Sequence, residues 1–216
     1  MKPTHHPDDD LLLAHASGAC GEAVSLLVAT HLAFCPECRR KTATAEAVGG
    51  MLLMDEPPAE LDRDALSRVL SRLDDEPGVS APHPARHSIG ASLPEPLRSY
   101  VGGDPGSLRW RRITPGLSIH PLRMRGGARA QLIRSAPGAG VSMHTHAGHE
   151  ITLVLEGGYS DDAGHYLRGD VQTATPDITH RLVTDPDGYC INLTVVDAPL
   201  KFVSPLVGLL ARLFGF

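Results

Sequence analysis

No stretch of this 216-residue chain holds the roughly 18–20 consecutive apolar residues that a transmembrane helix needs, so no membrane span is expected. Positive charge is not in excess. The formal charge is −5 at pH 7, which disfavours a direct nucleic-acid surface. The opening residues, MKPTHHPDDD, lack the apolar core of a secretory signal, and the expected location is the cytoplasm. Cysteine is scarce: Cys20, Cys35, Cys38 and Cys190 are the whole set. In a reducing compartment such residues point to metal binding or catalysis before disulfides. No short-period repeat is present. Histidine, with twelve residues, is plentiful, and its clustering carries the information.

The chain has two parts with different patterning. Residues 8–75 read as helical. Asp8, Asp9 and Asp10 precede LLLAHASG, a helix start followed by a glycine stop. GEAVSLLVATHLAF follows with helical spacing. Pro36 sits where a third helix opens, running through ECRRKTATAEAVGGMLLM and weakened near its end by Gly49 and Gly50. In ELDRDALSRVLSRLDD, Leu61, Ala65, Leu66, Val69, Leu70 and Leu73 form one apolar stripe at the 3.6-residue period. EPGVSAPHPARHSIGASLPEP reads as a linker, with a short helix over LPEPLRSYV. From Leu108 onward, short strands alternate with turns, which argues a β-sandwich or barrel. Charge divides in the same way. Residues 1–76 hold 14 acidic and 7 basic residues, net −7, and the remainder is net +2. The expected architecture is α+β in two domains: helices over 1–80, a linker over 81–106, a β domain over 107–200, and an apolar tail, 201–216, expected to be helical.

Two constellations carry chemistry. In HLAFCPECRR, His31 and Cys35 are four positions apart, and Cys35 and Cys38 three, so all three converge at one helix junction. Zinc takes four such ligands in a tetrahedron. His5, His6, His15 and Cys20 are the nearby choices for the fourth. A redox dithiol is the competing use, although Cys-x-x-Cys of that kind opens a helix after a strand, and here a helix precedes it. A structural metal would also supplement the small core of a domain this size. The pattern His…His-x3-Cys-x2-Cys in a short acidic helical domain resembles the zinc-binding anti-sigma domain. That resemblance implies His6, His31, Cys35 and Cys38 as zinc ligands, with His5 as the second choice to His6.

In PGAGVSMHTHAGHEITLVLEGGY, His144 and His146 alternate on a strand and share one face. With Gly138, Glu150 and Gly157 they match the first cupin motif, Gly-x5-His-x-His-x3-Glu-x6-Gly. GDVQTATPDITHRL supplies Gly169, Pro176 and His180 and resembles the second motif. It departs in lacking one residue between proline and histidine, the glycine expected there, and an asparagine four after the histidine. His144, His146, Glu150 and His180 together suit zinc or another divalent transition metal. The alternative is a set of surface histidines on an edge strand. Cys190 is expected to be a buried inert thiol unless it points inward to the metal.

An anti-sigma-like zinc domain joined to a cupin barrel resembles the ChrR-type anti-sigma factors over nearly the whole chain. That implies an N-terminal bundle of about four helices that inhibits a group IV (extracytoplasmic-function, ECF) sigma factor. It also implies a cupin domain that senses an oxidative-type signal. Independently of family, an acidic domain is steered towards basic surface, and an amphipathic helix fits a groove. The expected docking residues are Leu61, Leu66, Val69 and Leu73, with the adaptable methionines Met51 and Met54; the alternative is that they form the helical core. The competing function is a cupin metalloenzyme, a dioxygenase or isomerase, with an accessory helical module.

Overall fold

The computed structural model describes residues 2–75, 93–102, 106, 108–198 and 200–202. Five helices occur among them: α1 (Asp9–Ala16), α2 (Glu22–Phe34), α3 (Pro36–Asp55), α4 (Ala65–Asp75) and α5 (Glu95–Val101). Local chemistry sets their ends. The Asp8 carboxylate caps α1 by accepting the Leu11 N–H at 2.7 Å. Pro36 opens α3, where its missing N–H costs nothing, and Cys35 is the N-cap, its sulfur accepting from Cys38 N. Gly49 and Gly50 do not end α3, which continues to Asp55. The helix expected from Glu60 starts at Ala65. Leu12, Val28, Cys35 and Cys38 form a small core between α1, α2 and α3.

Eleven strands follow: β1 (Arg111–Thr114), β2 (Leu117–Leu122), β3 (Arg129–Ser135), β4 (Gly140–His146), β5 (Glu150–Glu156), β6 (Gly158–Asp161), β7 (Gly164–Leu167), β8 (Val171–Ala174), β9 (His180–Thr184), β10 (Cys190–Val196) and β11 (Leu200–Phe202). They form two antiparallel sheets, ordered β1-β2-β3-β10-β5-β8 and β11-β4-β9-β6-β7. This corrects the expected barrel: no described strand of one sheet is hydrogen-bonded to a strand of the other, so the closure is not complete. The expected helical tail begins instead with β11, paired to β4. Residues 203–216 lie outside the described residues, as does most of the linker expected over 81–106.

The two faces of the six-stranded sheet are buried by different partners, which explains why β5 and β10 read as almost continuous apolar runs. Ile151, Leu153 and Leu155 on β5, with Ile191, Leu193 and Val195 on β10, join a core with Ala23, Leu26 and Leu27 of α2. Leu93 and Leu97, within the segment read as linker, are buried in the same core. The alternate residues face inward: Val154 and Cys190 pack with Tyr159, Tyr166 and Leu182, and Thr152 meets Thr194 across the strands at 3.2 Å. The helical part therefore packs directly on the β part through α2.

Candidate metal centres

The first centre lies where the N-terminal segment meets the α2–α3 junction. His6, His31, Cys35 and Cys38 each offer one ligand atom, and these atoms lie within 4.8 Å of one another. His6 Nδ1 is 3.4 Å from both Cys35 Sγ and Cys38 Sγ. Sulfur and nitrogen sharing a tetrahedral metal at ordinary bond lengths stand about 3.6 Å apart. His31 Nδ1 donates to the Gly169 carbonyl at 2.8 Å, while Nε2 is buried and has no hydrogen-bond partner among the described residues. A buried, orphaned nitrogen beside two sulfurs costs free energy unless a cation takes it. Without an ion, burial and then the Cys35 thiol push Cys38 up to about 12; a bound cation reverses that by binding the thiolate. His5 does not join the group. Its ring packs on Tyr166, with centroids 4.5 Å apart, and its Nδ1 lies 3.4 Å from Asp170. His15 bonds Ser25, and the Cys20 thiol lies over the Leu11 carbonyl.

The second centre lies inside the β domain. The ends of three strands supply it: His144 and His146 from β4, Glu150 from β5, and His180 from β9, where His144 and His180 are register partners. All four are buried, with ligand atoms within 4.8 Å of one another. Each ring has a distinct support. His144 Nδ1 donates to the Ser142 carbonyl at 2.8 Å, and His180 Nδ1 donates to Asp161 Oδ2 at 3.0 Å. His180 thereby turns Nε2 inward, 3.1 Å from His146 Nε2. His146 Nδ1 is buried without a hydrogen-bond partner among the described residues, 3.7 Å from Glu150 Oε2. Burial lowers His144 and His146 to about 4 and raises Glu150 to about 7. Near neutral pH His144 and His146 are thus neutral and keep lone pairs beside the desolvated Glu150 carboxyl, and with His180 the four side chains form a donor set that fits a divalent cation. A surface-histidine origin does not account for this burial.

Backbone demands explain two motif glycines. Gly157 has φ of 70°, and a Cβ there would lie 2.2 Å from the Tyr189 carbonyl oxygen. Gly169 has φ of 94°, and its Cβ would lie 2.7 Å from Pro3. Only glycine adopts that backbone freely.

The remaining expected residues fall elsewhere. Cys190 points inward but bonds Asn192 Oδ1 at 3.2 Å, and burial pushes its thiol up to about 12. His149 pairs with Asp197 and His165 with Asp185, both at the surface. Met51, Met54, Leu61, Leu66, Val69 and Leu73 are all exposed, so the alternative that they form the helical core is not what the structure has. Sequence reasoning missed Asp161, which supports His180, and Asp170, which holds the N-terminal segment. No spacing flags a carboxylate whose partners are 19 and more than 160 positions away.

Comparison with known proteins decides the family. The chain is 38% identical over 214 residues to anti-sigma-E factor ChrR of Cereibacter sphaeroides, covering 99% of each. The chain belongs to the ChrR family. Residues 99–198 match the ChrR cupin-like domain. The fold matches a chain of the crystal structure of Rhodobacter sphaeroides SigE in complex with the anti-sigma ChrR, with TM-score 0.79 and 34% identity, covering 91% of this chain and 100% of that one. Both members of the ChrR-type pattern, helices first and cupin-like sheets second, thus stand in the expected order. Among the described residues, no helix is long and apolar enough to cross a membrane.

Proposed function

We propose that this chain is a cytoplasmic anti-sigma factor that inhibits an ECF sigma factor through its N-terminal helical domain, residues 1–80. The observation that carries the proposal is the exposed apolar surface on an acidic domain. Met51 and Met54 at the end of α3, Leu61 before α4, and Leu66, Val69 and Leu73 along α4 are left open to solvent. An apolar stripe of this extent marks an interaction site. The net charge of −7 over residues 1–76 suits a partner with basic, DNA-binding surface. The likeness to ChrR over almost the whole length supports a regulator rather than a cupin enzyme.

Zinc is the ion we assign to His6, His31, Cys35 and Cys38. Two thiolates and two imidazoles would fill zinc's four ligand positions, so the ion would be structural and would join the N-terminal segment to the α2–α3 junction. His144, His146, Glu150 and His180 hold zinc or another divalent transition metal in the cupin-like domain. Carboxylate and imidazole ligands leave room for a further small ligand, which is how an oxidative-type signal would reach this site. The chain's own residues set the response: Asp161 fixes the His180 ring, and the burial of Glu150 keeps water from competing for the carboxylate. A change at this site loosens the grip on the sigma factor.

Co-expression with an ECF sigma factor and its target promoter tests the function. The wild-type chain is expected to silence the promoter and to co-purify with the sigma factor. His144→Ala/His146→Ala is expected to keep silencing but lose signal-dependent release. Promoter activity unaffected by the wild-type chain, combined with substrate-dependent oxygen consumption by the metal-loaded protein, would favour the enzyme instead.

A further inference from the structure

We propose that the turn Gly169–Asp170–Val171 of the cupin-like domain is a positioning element of the N-terminal metal site, and that β8, which it opens, couples that site to the cupin centre. The proposal rests on the reading that His6, His31, Cys35 and Cys38 hold an ion.

Three consecutive residues grip both imidazole arms of the site. The Gly169 carbonyl accepts from His31 Nδ1 at 2.8 Å, which fixes the ring so that Nε2 faces the sulfurs. The buried Asp170 carboxylate accepts the Thr4 N–H at 2.6 Å and the His5 N–H at 3.0 Å, and also the Leu167 N–H of its own turn at 2.9 Å. The Val171 N–H donates to the His5 carbonyl at 3.1 Å. The residues just before His6 are therefore held through donors and an acceptor alike. The turn also lies close against both segments: a Cβ added at Gly169 would meet Pro3 at 2.7 Å and Phe34 at 3.1 Å. Two of the four ligands take their orientation from a domain that supplies no ligand itself.

The same strand reaches the second centre. Gln172, two residues past Asp170, accepts from the Tyr159 hydroxyl at 2.8 Å and donates to Asp161 Oδ2 at 2.5 Å. That oxygen also accepts from His180 Nδ1 at 3.0 Å. Ala174, at the far end of β8, is the register partner of Glu150. A shift of β8 thus moves the supports of His180 and Glu150 at one end and of His6 and His31 at the other. Coupling of this kind acts in both directions.

Full-length chain loaded with cobalt or zinc provides the test. Thiolate-to-cobalt charge-transfer absorption reports only the cysteine site, because the cupin centre has no thiolate. Zinc release to a chromophoric chelator gives the rate. Loss of the slow-releasing zinc and of the thiolate band in Cys35→Ser and Cys38→Ser first establishes the site; if wild type has neither signal, the ligand assignment itself fails. With the site established, Asp170→Ala is expected to release zinc at least about tenfold faster and to shift the thiolate band, as loss of outer support does at other metal sites. Asp170→Asn, which keeps an oxygen for the Thr4 and His5 N–H groups, is expected to fall between the two. Gly169→Ala is expected to match Asp170→Ala, and decides with Asp170→Asn if Asp170→Ala does not fold. His144→Ala/His146→Ala is expected to change the release rate at the cysteine site, and Gln172→Ala to abolish that change. Wild-type release and band position in Asp170→Asn and Gly169→Ala would overturn the positioning role. An unchanged cysteine site in His144→Ala/His146→Ala would overturn the coupling.

Discussion

Truncating the α4 stripe should separate partner binding from stability. Leu66 keeps 70% of its surface exposed. Full burial of a leucine side chain gives about 1.5–3 kcal/mol, so docking can gain about 1–2 kcal/mol at this residue. Leu66→Ala should therefore weaken sigma-factor binding about 5- to 30-fold. Leu66→Ala/Leu73→Ala should weaken it about 30- to 900-fold if the two positions act independently. The free chain should scarcely notice, because exposed positions cost within about 0.5 kcal/mol. Leu27→Ala is the contrast. Leu27 is wholly buried between α2 and the sheet, and its truncation should cost about 2–5 kcal/mol of stability. Isothermal titration against the purified sigma factor, with melting curves of the free variants, gives both numbers. Wild-type affinity in the double variant would refute the docking role of α4. A large drop in melting temperature would show that the stripe serves the fold instead.

Asp161→Ala removes the acceptor of His180 Nδ1 and should lower cupin metal affinity about 10- to 100-fold, read by competition with a chelator; an unchanged affinity would count against the support role. In the metal-stripped chain, Glu150 has its folded pKa raised to about 7 by burial, so stability is whole below its unfolded value of about 4.3 and is lost as pH rises through 7. His144 and His146, lowered to about 4 chiefly by burial, act oppositely: their contribution is whole above about 6.5 and lost as pH falls through 4. Two imidazoles outweigh one carboxyl, so melting temperature should rise from pH 4 to about 6.5. Glu150→Gln, which removes the charge, should melt higher than wild type at pH 7.5 when both are metal-free; an equal or lower value would contradict the burial argument. Gly157→Ala, which forces a Cβ to 2.2 Å from the Tyr189 carbonyl oxygen at a φ of 70°, should destabilise the β domain severely, seen as loss of its cooperative melting transition.

The legible parts of the sequence were those with local causes. Asp8 before α1 and Pro36 opening α3 mark helix starts by capping chemistry, and the alternation of His144 and His146 marks a strand with both rings on one face. The two candidate ligand groups are legible because three members of each lie close in sequence, and only His6 and His180 come from farther away. The illegible parts have distant causes. His31 bonds a carbonyl 138 positions on, and Thr4 a carboxylate 166 positions on. Leu93 and Leu97 sit in proline- and serine-rich surroundings that look like a tether, yet α2 and the sheet bury them. Strand patterning leaves a sandwich and a barrel both open, because it fixes which face is buried but not which edges pair, and only the cupin resemblance implies the barrel.

The central claim is that an ion held by His6, His31, Cys35 and Cys38 shapes the module that occupies the sigma factor. Its most direct test is the affinity of the Cys35→Ser/Cys38→Ser chain for the sigma factor, measured beside His144→Ala/His146→Ala as the control that keeps His6, His31, Cys35 and Cys38 in place. The expected result is that the cysteine variant loses binding and transcriptional inhibition while the histidine control keeps both. Full inhibition by a cysteine variant shown to carry no metal at that site would contradict the claim.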